Sequence, residues 1–227
     1  MTDFFRFPHT PHIAWLGNGT PRDDKVLSLR EAEALLSGEV VGEEKLDGAN
    51  LGISVSPEGE IRVQNRGQYL RLPMRGQFEK LPGWLKIRTD LLFDALGEDL
   101  ILFGEWCAAR HSIEYENLPD WYIVFDVYDR KTKRFWSTIR RNILAAQFNL
   151  SVVPRLLQGR ISLKSLNELL QAQSSAFRTG PLEGVVIRCE SNEWMEAHAK
   201  LVHPYFVQAI GEHWSHRQIE WNSLISR

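Results

Sequence analysis

The sequence predicts an α+β fold in which the sheets are mainly antiparallel. Segments of alternating apolar and polar residues are joined by short turns, such as Pro57-Glu58-Gly59 and Ser191-Asn192, and this is typical of hairpins. Regular alternation of strands and helices, which would indicate a parallel sheet, is missing. The chain has 227 residues, 43% of them hydrophobic, so it can bury a sizeable core. We expect a single domain over residues 1–227.

Helices are expected where a capping residue precedes apolar residues at helical spacing. Ser28 and Glu31 form a capping box, and Gly97 is placed to end a later helix that follows the break at Pro82-Gly83. The predicted helices cover about 29–37, 84–96, 137–148, 162–173 and the segment from Pro204. The predicted strands cover 39–44, 51–56, 60–66, 100–107, 121–128, 183–190 and 194–201.

Several protein classes are excluded by composition. No run of about 20 apolar residues is present, so we expect no membrane-spanning helix. The first residues lack a basic region followed by an apolar segment, and no secretory signal is expected. Cys107 and Cys189 stand far apart without metal-ligand spacing. A reducing, cytoplasmic setting is therefore the expectation.

The charge of the chain shows no overall nucleic-acid footprint, because the formal net charge is −2. Arginine and lysine are nevertheless concentrated in two stretches. These are 62–75, with Arg62, Arg66, Arg71 and Arg75, and 130–141, with Arg130, Lys131, Lys133, Arg134, Arg140 and Arg141. Each stretch is either solvated surface or a track that binds phosphates, and the sequence leaves both alternatives open.

The most informative stretch is 43–50, in which Lys45 ends a predicted strand and Gly48 begins a turn into the next. A lone Lys-x-Asp-Gly is weak evidence. Further pieces follow in a fixed order: Arg66-Gly67, Phe103-Gly104-Glu105-Trp106, 121–126, Glu183 to Arg188, and Lys200. Together they resemble the signature of the covalent nucleotidyltransferases, the superfamily of polynucleotide ligases and mRNA capping enzymes.

Within that superfamily the chain resembles ATP-dependent RNA ligases of the RNA ligase 2 type. Asn50, five residues after the lysine, matches that group, as does the stretch 111–120. The resemblance implies a nucleotidyltransferase (ATP-grasp-like) domain of antiparallel sheets flanked by helices. It implies ATP and Mg²⁺ or Mn²⁺ as cofactors, and as partner a nucleic acid with 5′-phosphate and 3′-hydroxyl ends, RNA being favoured.

The resemblance also implies roles in the chemistry. Lys45 is the nucleophile that attacks the α-phosphorus of ATP and forms a lysyl-AMP. The amine must be neutral to attack, and a metal ion with a second cation, Lys200, is expected to lower its pKa. Glu183 is the expected metal ligand.

The other implied roles concern binding of the nucleotide and the RNA end. Glu105 accepts from the ribose, Phe125 stacks on adenine, Arg66 contacts the nucleotide and the 5′-phosphate, Asp47 orients the loop, and Asn50 supports metal or water. The adenine amino group is expected to meet Glu43 or Glu44. Strand alternation sends these two to opposite faces; Glu44 is counted with the site, although the sequence does not decide between them.

Two departures from the family pattern stand out. Many ligases carry Lys-x-Lys where this chain has His198-Ala199-Lys200, and a largely neutral histidine implies weaker or pH-dependent neutralisation of phosphate. Only 27 residues follow Lys200, too few for an OB-fold. The expectation is that part of the work of such a domain is absent, is supplied by a protein partner, or is done by the N-terminal segment and the tail around His213-Trp214.

The predicted function is a single-domain ATP-dependent RNA ligase that adenylates a 5′-phosphate end and seals it to a 3′-hydroxyl. The alternatives are a small ATP-dependent DNA ligase that seals nicks, and a catalytically inactive binder of nucleic-acid ends. A capping guanylyltransferase is disfavoured, because that class of enzyme also normally needs an OB-fold. A kinase is disfavoured because the chain has neither a P-loop nor a Gly-rich kinase loop.

Overall fold

The computed structural model describes residues 4–18, 21, 25–208 and 218–226. The predicted α+β fold is confirmed: the described strands form two sheets, flanked by helices, and strands neighbouring within a sheet pair antiparallel. The helices are α1 Leu29–Leu36, α2 Leu81–Lys86, α3 Thr89–Leu96, α4 Thr138–Gln147, α5 Leu163–Ala172 and α6 Pro204–Gln208. The strands are β1 Val40–Lys45, β2 Ala49–Val55, β3 Ile61–Gln64, β4 Leu100–Trp106, β5 Tyr122–Asp129, β6 Arg134–Phe135, β7 Arg155–Gly159, β8 Gly184–Glu190 and β9 Met195–Val202.

The first sheet has the strand order β7-β1-β8-β9. Apolar residues of its strands pack against α1 and α5 in one buried cluster, which includes Leu35 from α1 and Leu166 from α5. The predicted capping box is present at α1, where the Ser28 side chain accepts from the Glu31 amide and the Glu31 carboxylate accepts from the Ser28 amide. In this sheet Lys45 pairs with Gly184, and Arg188 pairs with His198.

The second sheet has the order β3-β2-β4-β5-β6 and a larger core. Its buried cluster combines residues of β2, β4 and β5 with Leu92 of α3 and Ala145 of α4. Fully buried Trp106 and Tyr122 lie at the end of this sheet that pairs Ala49 with Trp106.

The lysine strand β1 and the next strand β2 belong to different sheets. The chain crosses from one sheet to the other through Leu46 to Gly48. The consecutive strand patterns in the sequence predict that Arg66 lies across a hairpin from the lysine strand. This prediction is wrong, because β3 pairs with β2, and β1 pairs with β7 and β8. A hairpin pattern in the sequence identifies adjacent strands but does not reveal a crossing between sheets.

The single helix predicted over 84–96 is two helices, α2 and α3. Pro82 lies in the first turn of α2 and so begins that helix instead of preceding it, because the first helical amides need no acceptor within the helix. The backbone leaves the helical region at Arg88, whose guanidinium binds Asp120 at 2.7 Å. None of the helices described is long and apolar enough to cross a membrane.

Candidate active site

A cavity of about 840 Å³ lies between the two sheets. Strands β1, β8 and β9 of the first sheet and β2, β4 and β5 of the second contribute to its wall. The predicted site residues that line it are Glu44, Lys45, Asn50, Arg66, Glu105, Phe125, His198 and Lys200. Asp47 and Glu183 are not lining residues, and each is held by the contacts described below. The fold thus brings together residues that are up to 156 positions apart, from Glu44 to Lys200.

Lys45 ends β1 and reaches Glu183, which directly precedes β8. Lys45 Nζ lies 2.5 Å from Glu183 Oε1, and the two side chains are 26% and 12% exposed. Burial lowers the pKa of Lys45, but Glu183, Glu105 and Asp47 together outweigh burial, so its pKa lies above the ordinary value. Without ligands Lys45 is therefore an ammonium ion. The lowered pKa predicted from the sequence refers to the site with a metal ion bound, and it stays a prediction.

Glu105 of β4 is a buried carboxyl group beside Lys45. Burial raises its pKa to about 8, although Lys45 acts in the opposite direction. The group is therefore largely protonated near neutral pH and is able to donate a hydrogen bond as well as accept one. Burial likewise raises the pKa of Glu183, against the opposing effect of Lys45. Carboxyl groups with perturbed pKa values at or beside one cavity are typical of functional sites.

Asp47 holds the loop that follows β4 against the lysine turn. Its Oδ2 accepts from the amides of Ser112 and Ile113 at 2.7 and 2.9 Å, and its own amide donates to the Tyr115 hydroxyl at 2.8 Å. Gly48, the next residue, approaches β4 so closely that an added Cβ would lie 2.7 Å from the Trp106 carbonyl oxygen. Close contacts on both sides therefore fix the position of Lys45.

Glu43 and Glu44 have different surroundings. The Glu43 carboxylate binds Arg141 of α4 and Arg188 of β8, and Arg188 also binds Asp126 of β5 at 2.6 Å. All four side chains are at most 3% exposed. This network joins the two sheets through charge-assisted hydrogen bonds. The arginine-rich stretch 130–141 is therefore not one phosphate track, because Arg141 is internal.

Glu44 accepts from the Ser175 hydroxyl and from the Ala176 amide at 3.0 Å. Burial raises its pKa in spite of these hydrogen bonds. With the Glu43 oxygens engaged by two guanidinium groups, Glu44 is the one of the pair that retains capacity to accept from a ligand.

An apolar section of the cavity lies next to these carboxylates. Phe125 of β5 and Val186 of β8 both line it, one from each sheet. The ring of Phe7 packs edge-on against Phe125 with centroids 5.4 Å apart, which holds the Phe125 ring in place. A flat aromatic ligand such as a nucleobase suits this section.

His198 and Lys200 of β9 border the cavity beside the N-terminal segment. The Lys200 amide donates to Pro11 and its carbonyl accepts from Ile13, so the segment runs along β9. His198 Nε2 lies 3.2 Å from the Thr10 hydroxyl. Burial lowers the pKa of His198, so the ring is neutral at pH 7. It thus cannot replace the charge of the first lysine in Lys-x-Lys.

Two oxygen atoms of the site fit a divalent cation. Glu183 Oε2 and Asn50 Oδ1 are buried and have no hydrogen-bond partner within the described part of the chain. Carboxylate and amide oxygens are ligands that Mg²⁺ and Mn²⁺ accept. Among the described residues no cluster of three or more His, Cys, Asp or Glu side chains is arranged to hold a metal. Protein oxygens alone would leave such an ion with few ligands, so oxygens of a bound phosphate would have to complete its shell.

Sequence reasoning missed several lining residues. His111 and Gln77 also border the cavity, with His111 Nε2 2.7 Å from Gln77 Oε1. His111 lies in the stretch 111–120 that matched the family, which was a usable signal. No sequence signal pointed to Phe7 and Thr10, because irregular, proline-containing sequence does not indicate where a segment packs. His213 and Trp214 lie outside the described residues.

Comparison with known proteins adds the family context. The family model described as RNA ligase matches residues 38–202. None of the curated proteins compared with the chain matches it. A solved variant of the Naegleria gruberi RNA ligase with ATP and Mn superposes with a TM-score of 0.60 at 18% identity, covering 79% of this chain and 54% of that one.

Two further structures of the Naegleria gruberi RNA ligase are similar. The form with PPi has a TM-score of 0.60 at 19% identity and covers 78% of this chain and 53% of that one. Another variant with ATP and Mn has a TM-score of 0.60 at 16% identity and covers 90% and 63%. The chain thus spans about half to two thirds of the length of these ligases, and at this identity the likeness is one of fold.

Proposed function

The chain belongs to the RNA ligase family, since the family model covers residues 38–202, and we propose that it joins RNA ends in an ATP-dependent reaction through a lysyl-AMP. The observation that carries this proposal is the position of Lys45. It projects into a cavity between two sheets, beside a carboxylate with a buried unpaired oxygen and a second lysine, Lys200. The similar Naegleria gruberi ligase was solved with ATP and Mn.

The adenosine part of ATP fits the apolar section of the cavity. Phe125 and Val186 offer flat contact for adenine, and Glu44 has the capacity to accept from its amino group. Glu105 reaches the ribose in this arrangement, and its carboxyl group, largely protonated near neutral pH, suits a hydroxyl partner. Adenine is favoured over guanine, because guanine carries a carbonyl where adenine carries the amino group and would meet a second acceptor at Glu44.

The phosphates belong at the Lys45 end of the cavity. Lys200 and Arg66 supply positive charge there, and Glu183 with Asn50 would hold a divalent ion. When bound, the metal supplies charge neutralisation and alignment of the leaving pyrophosphate. Neutral His198 supplies a hydrogen-bonding group but no charge.

Lys45 then acts as the nucleophile. Its nitrogen gives up a proton to solvent and bonds to the α-phosphorus, and the bond from that phosphorus to the bridging oxygen of pyrophosphate breaks. Ion pairing with Glu183 holds Lys45 protonated before ligands bind. A cation held by Glu183 and Asn50 would compete with Lys45 for the Glu183 carboxylate and would thereby lower the pKa of the amine.

AMP passes next to the 5′-phosphate of an RNA, whose oxygen displaces Lys45, and a 3′-hydroxyl finally displaces AMP to form the phosphodiester. Each step is a displacement at phosphorus, so the same cationic cluster serves all three. We also propose that one domain carries out these steps and that a partner protein helps to hold the RNA.

Intact-protein mass after incubation with ATP and Mg²⁺ tests the proposal. We expect the unmutated chain to gain one AMP moiety, and Lys45→Arg, which keeps the charge beside Glu183, to gain none. Lys164→Ala, at a side chain 87% exposed, is the control and should behave as the unmutated chain. GTP should give little adduct.

A chain that arrives already adenylated would show no gain, and treatment with pyrophosphate would reveal this by loss of AMP. If no AMP is gained and pyrophosphate releases none, the proposal is wrong and the chain is to be tested as a binder of nucleic-acid ends. Matched nicked RNA and DNA duplexes and single strands then decide the substrate, and we expect RNA to be sealed faster through contacts to the 2′-hydroxyl.

A further inference from the structure

A second depression adjoins the nucleotide cavity on the side of Arg66. Its volume is about 760 Å³, and it shares Gly67, Gln68 and Phe78 with the wall of the cavity. The rest of its wall is Phe4 together with residues of the segment between β3 and α2. We call this depression the arginine groove. Two of the shared residues, Gly67 and Gln68, directly follow Arg66, so the arginine groove adjoins the nucleotide cavity beside Arg66.

The arginine groove is positively charged. Arg71 and Arg75 line it, both are exposed, and no acidic side chain is present among its described lining residues. Neither arginine forms an ion pair with any other residue that the structure describes. By contrast, Arg134 and Arg141 of the second basic stretch bind Glu196 and Glu43.

The aromatic side chains of the groove are already packed. The Arg62 guanidinium lies 4.0 Å from the centroid of the Tyr69 ring, and Phe4 meets that ring edge-on at 5.1 Å. Tyr69 is thus fixed in the wall by protein contacts on its ring. Because the Tyr69 ring already contacts protein groups, it is not placed to stack on a base. Arg71 and Arg75, which pair with no described acidic side chain, suit the phosphates of a nucleic-acid backbone.

We propose that the arginine groove binds the backbone of the RNA strand that carries the 5′-phosphate. The assignment to this strand rests on the proposed ligase function. The 5′-phosphate has to reach the α-phosphate at Lys45, and the nucleotides that follow it leave the cavity past Arg66. Arg71 and Arg75 then contact phosphates of those nucleotides without reading bases. Binding is therefore independent of sequence and grows with strand length.

The test compares Arg71→Ala/Arg75→Ala with Arg30→Ala/Arg160→Ala in the full chain. The control removes the same charge from two exposed arginines elsewhere in the chain. Arg30 lies in α1, and Arg160 directly follows β7 of the first sheet. Binding is measured by fluorescence anisotropy, without ATP, to a 5′-phosphorylated RNA of about 12 nucleotides and, by competition, to a 5′-phosphorylated dinucleotide.

We expect the groove variant to bind the longer RNA on the order of tenfold more weakly at low salt. The slope of log affinity against log salt should become shallower by roughly 1.4, for two phosphate contacts on a single strand. Dinucleotide binding, self-adenylation and thermal unfolding should be unchanged, and an oligo(A) and an oligo(U) should lose affinity equally. Transfer of AMP to the longer RNA, measured without any acceptor strand, should slow in the groove variant.

Unchanged binding of the longer RNA, or an equal loss in the control variant, would overturn the groove proposal. Slower sealing of a pre-adenylated RNA to an acceptor, with normal AMP transfer to the donor, would assign the groove to the other strand and overturn the proposal as stated. If the unmutated chain gains no AMP yet binds RNA through Arg71 and Arg75, the ligase function and the donor-strand assignment fail while RNA binding stands.

Discussion

Glu43 and Glu44 are consecutive residues of β1, and their carboxylates bind different partners in the structure. Glu43 is held between Arg141 and Arg188, and it connects the two sheets. Within the described part of the chain, Glu44 accepts from the Ser175 hydroxyl and the Ala176 amide. The cavity thus has a rigid charged support directly beside Glu44, the carboxyl group that we propose accepts from the nucleotide.

The first prediction concerns this pair. Glu43→Gln leaves two buried guanidinium groups without their shared carboxylate, and the free energy of unfolding should fall by about 3–5 kcal/mol. Glu44→Gln should cost less than about 1 kcal/mol, because burial already disfavours the charged form of Glu44. Denaturant unfolding of both variants measures this difference.

Selectivity for ATP over GTP should respond in the opposite way, with the larger effect in the Glu44 variant. Glu44→Gln should narrow the preference of self-adenylation for ATP over GTP, since an amide is able to donate to the guanine carbonyl. Glu43→Gln should retain that preference at a temperature where it is folded. Equal losses of stability in the two variants would contradict the division of roles.

A second prediction concerns Glu183 and divalent metal. Removal of its charge by Glu183→Gln should slow self-adenylation at least about 100-fold at low Mg²⁺, because the ion loses its carboxylate ligand. Partial recovery is expected at high Mg²⁺ or Mn²⁺. The readout is the rate of AMP incorporation in a metal titration.

The control for this experiment is Glu196→Gln. It makes the same chemical change in an exposed pair with Arg134 and should leave the metal titration unaltered. An unshifted metal dependence in Glu183→Gln would exclude Glu183 as the ligand.

The sequence indicates which residues gather at the cavity between the sheets better than it indicates the packing around them. Lys45, Glu105, Glu183 and Lys200 are indicated by their resemblance to the motifs of a family whose shared chemistry uses those residue types. Each lies at or beside a predicted strand, so the two sheets bring them together. Short sequence motifs carry such chemical requirements directly.

The buried position of Arg141 and the strand β7 depend on contacts between distant segments, and no pattern in the local sequence indicates them. Arg141 occurs among surface-like basic residues, yet it binds Glu43, 98 positions away, in the buried network. The short edge strand β7, which pairs with β1, was not predicted for the same reason. Strand pairing and burial of charge are set by tertiary structure, which periodicity alone does not encode.

A third prediction concerns pH and the capping box of α1. The contacts to Lys25 and Ser28 hold the pKa of Glu31 at about 2, below the ordinary 4.5. A depressed carboxyl pKa stabilises the folded state above about pH 4.5, and that contribution is lost as pH falls towards 2. The deficit in unfolding free energy of Glu31→Gln should therefore shrink as pH falls from 5 to about 2.

Glu33→Gln, two positions along the same helix, is the matched control because it makes the same substitution outside the capping box. Chemical denaturation at several pH values measures both variants. A deficit for Glu31→Gln that stays constant down to pH 2 would show that the capping carboxylate is not the titrating group.

The last prediction concerns Gly48, which lets the lysine turn approach β4. A Cβ at this position would lie 2.7 Å from the Trp106 carbonyl oxygen and 3.0 Å from Glu105 Cγ. The carbonyl oxygen is backbone in a paired strand and has little freedom to move. Gly48→Ala should therefore lower the free energy of unfolding by about 1–3 kcal/mol and displace Lys45 from Glu183, so that self-adenylation falls more than stability explains.

Gly83→Ala is the matched control for this substitution. Gly83 lies in α2 with nothing within 4 Å of an added Cβ, so alanine should be neutral or stabilise by up to about 1 kcal/mol through its helix propensity. Thermal unfolding and the rate of AMP incorporation distinguish the two effects at a temperature where both variants are folded. Normal adenylation by Gly48→Ala would show that the close approach to β4 does not position Lys45.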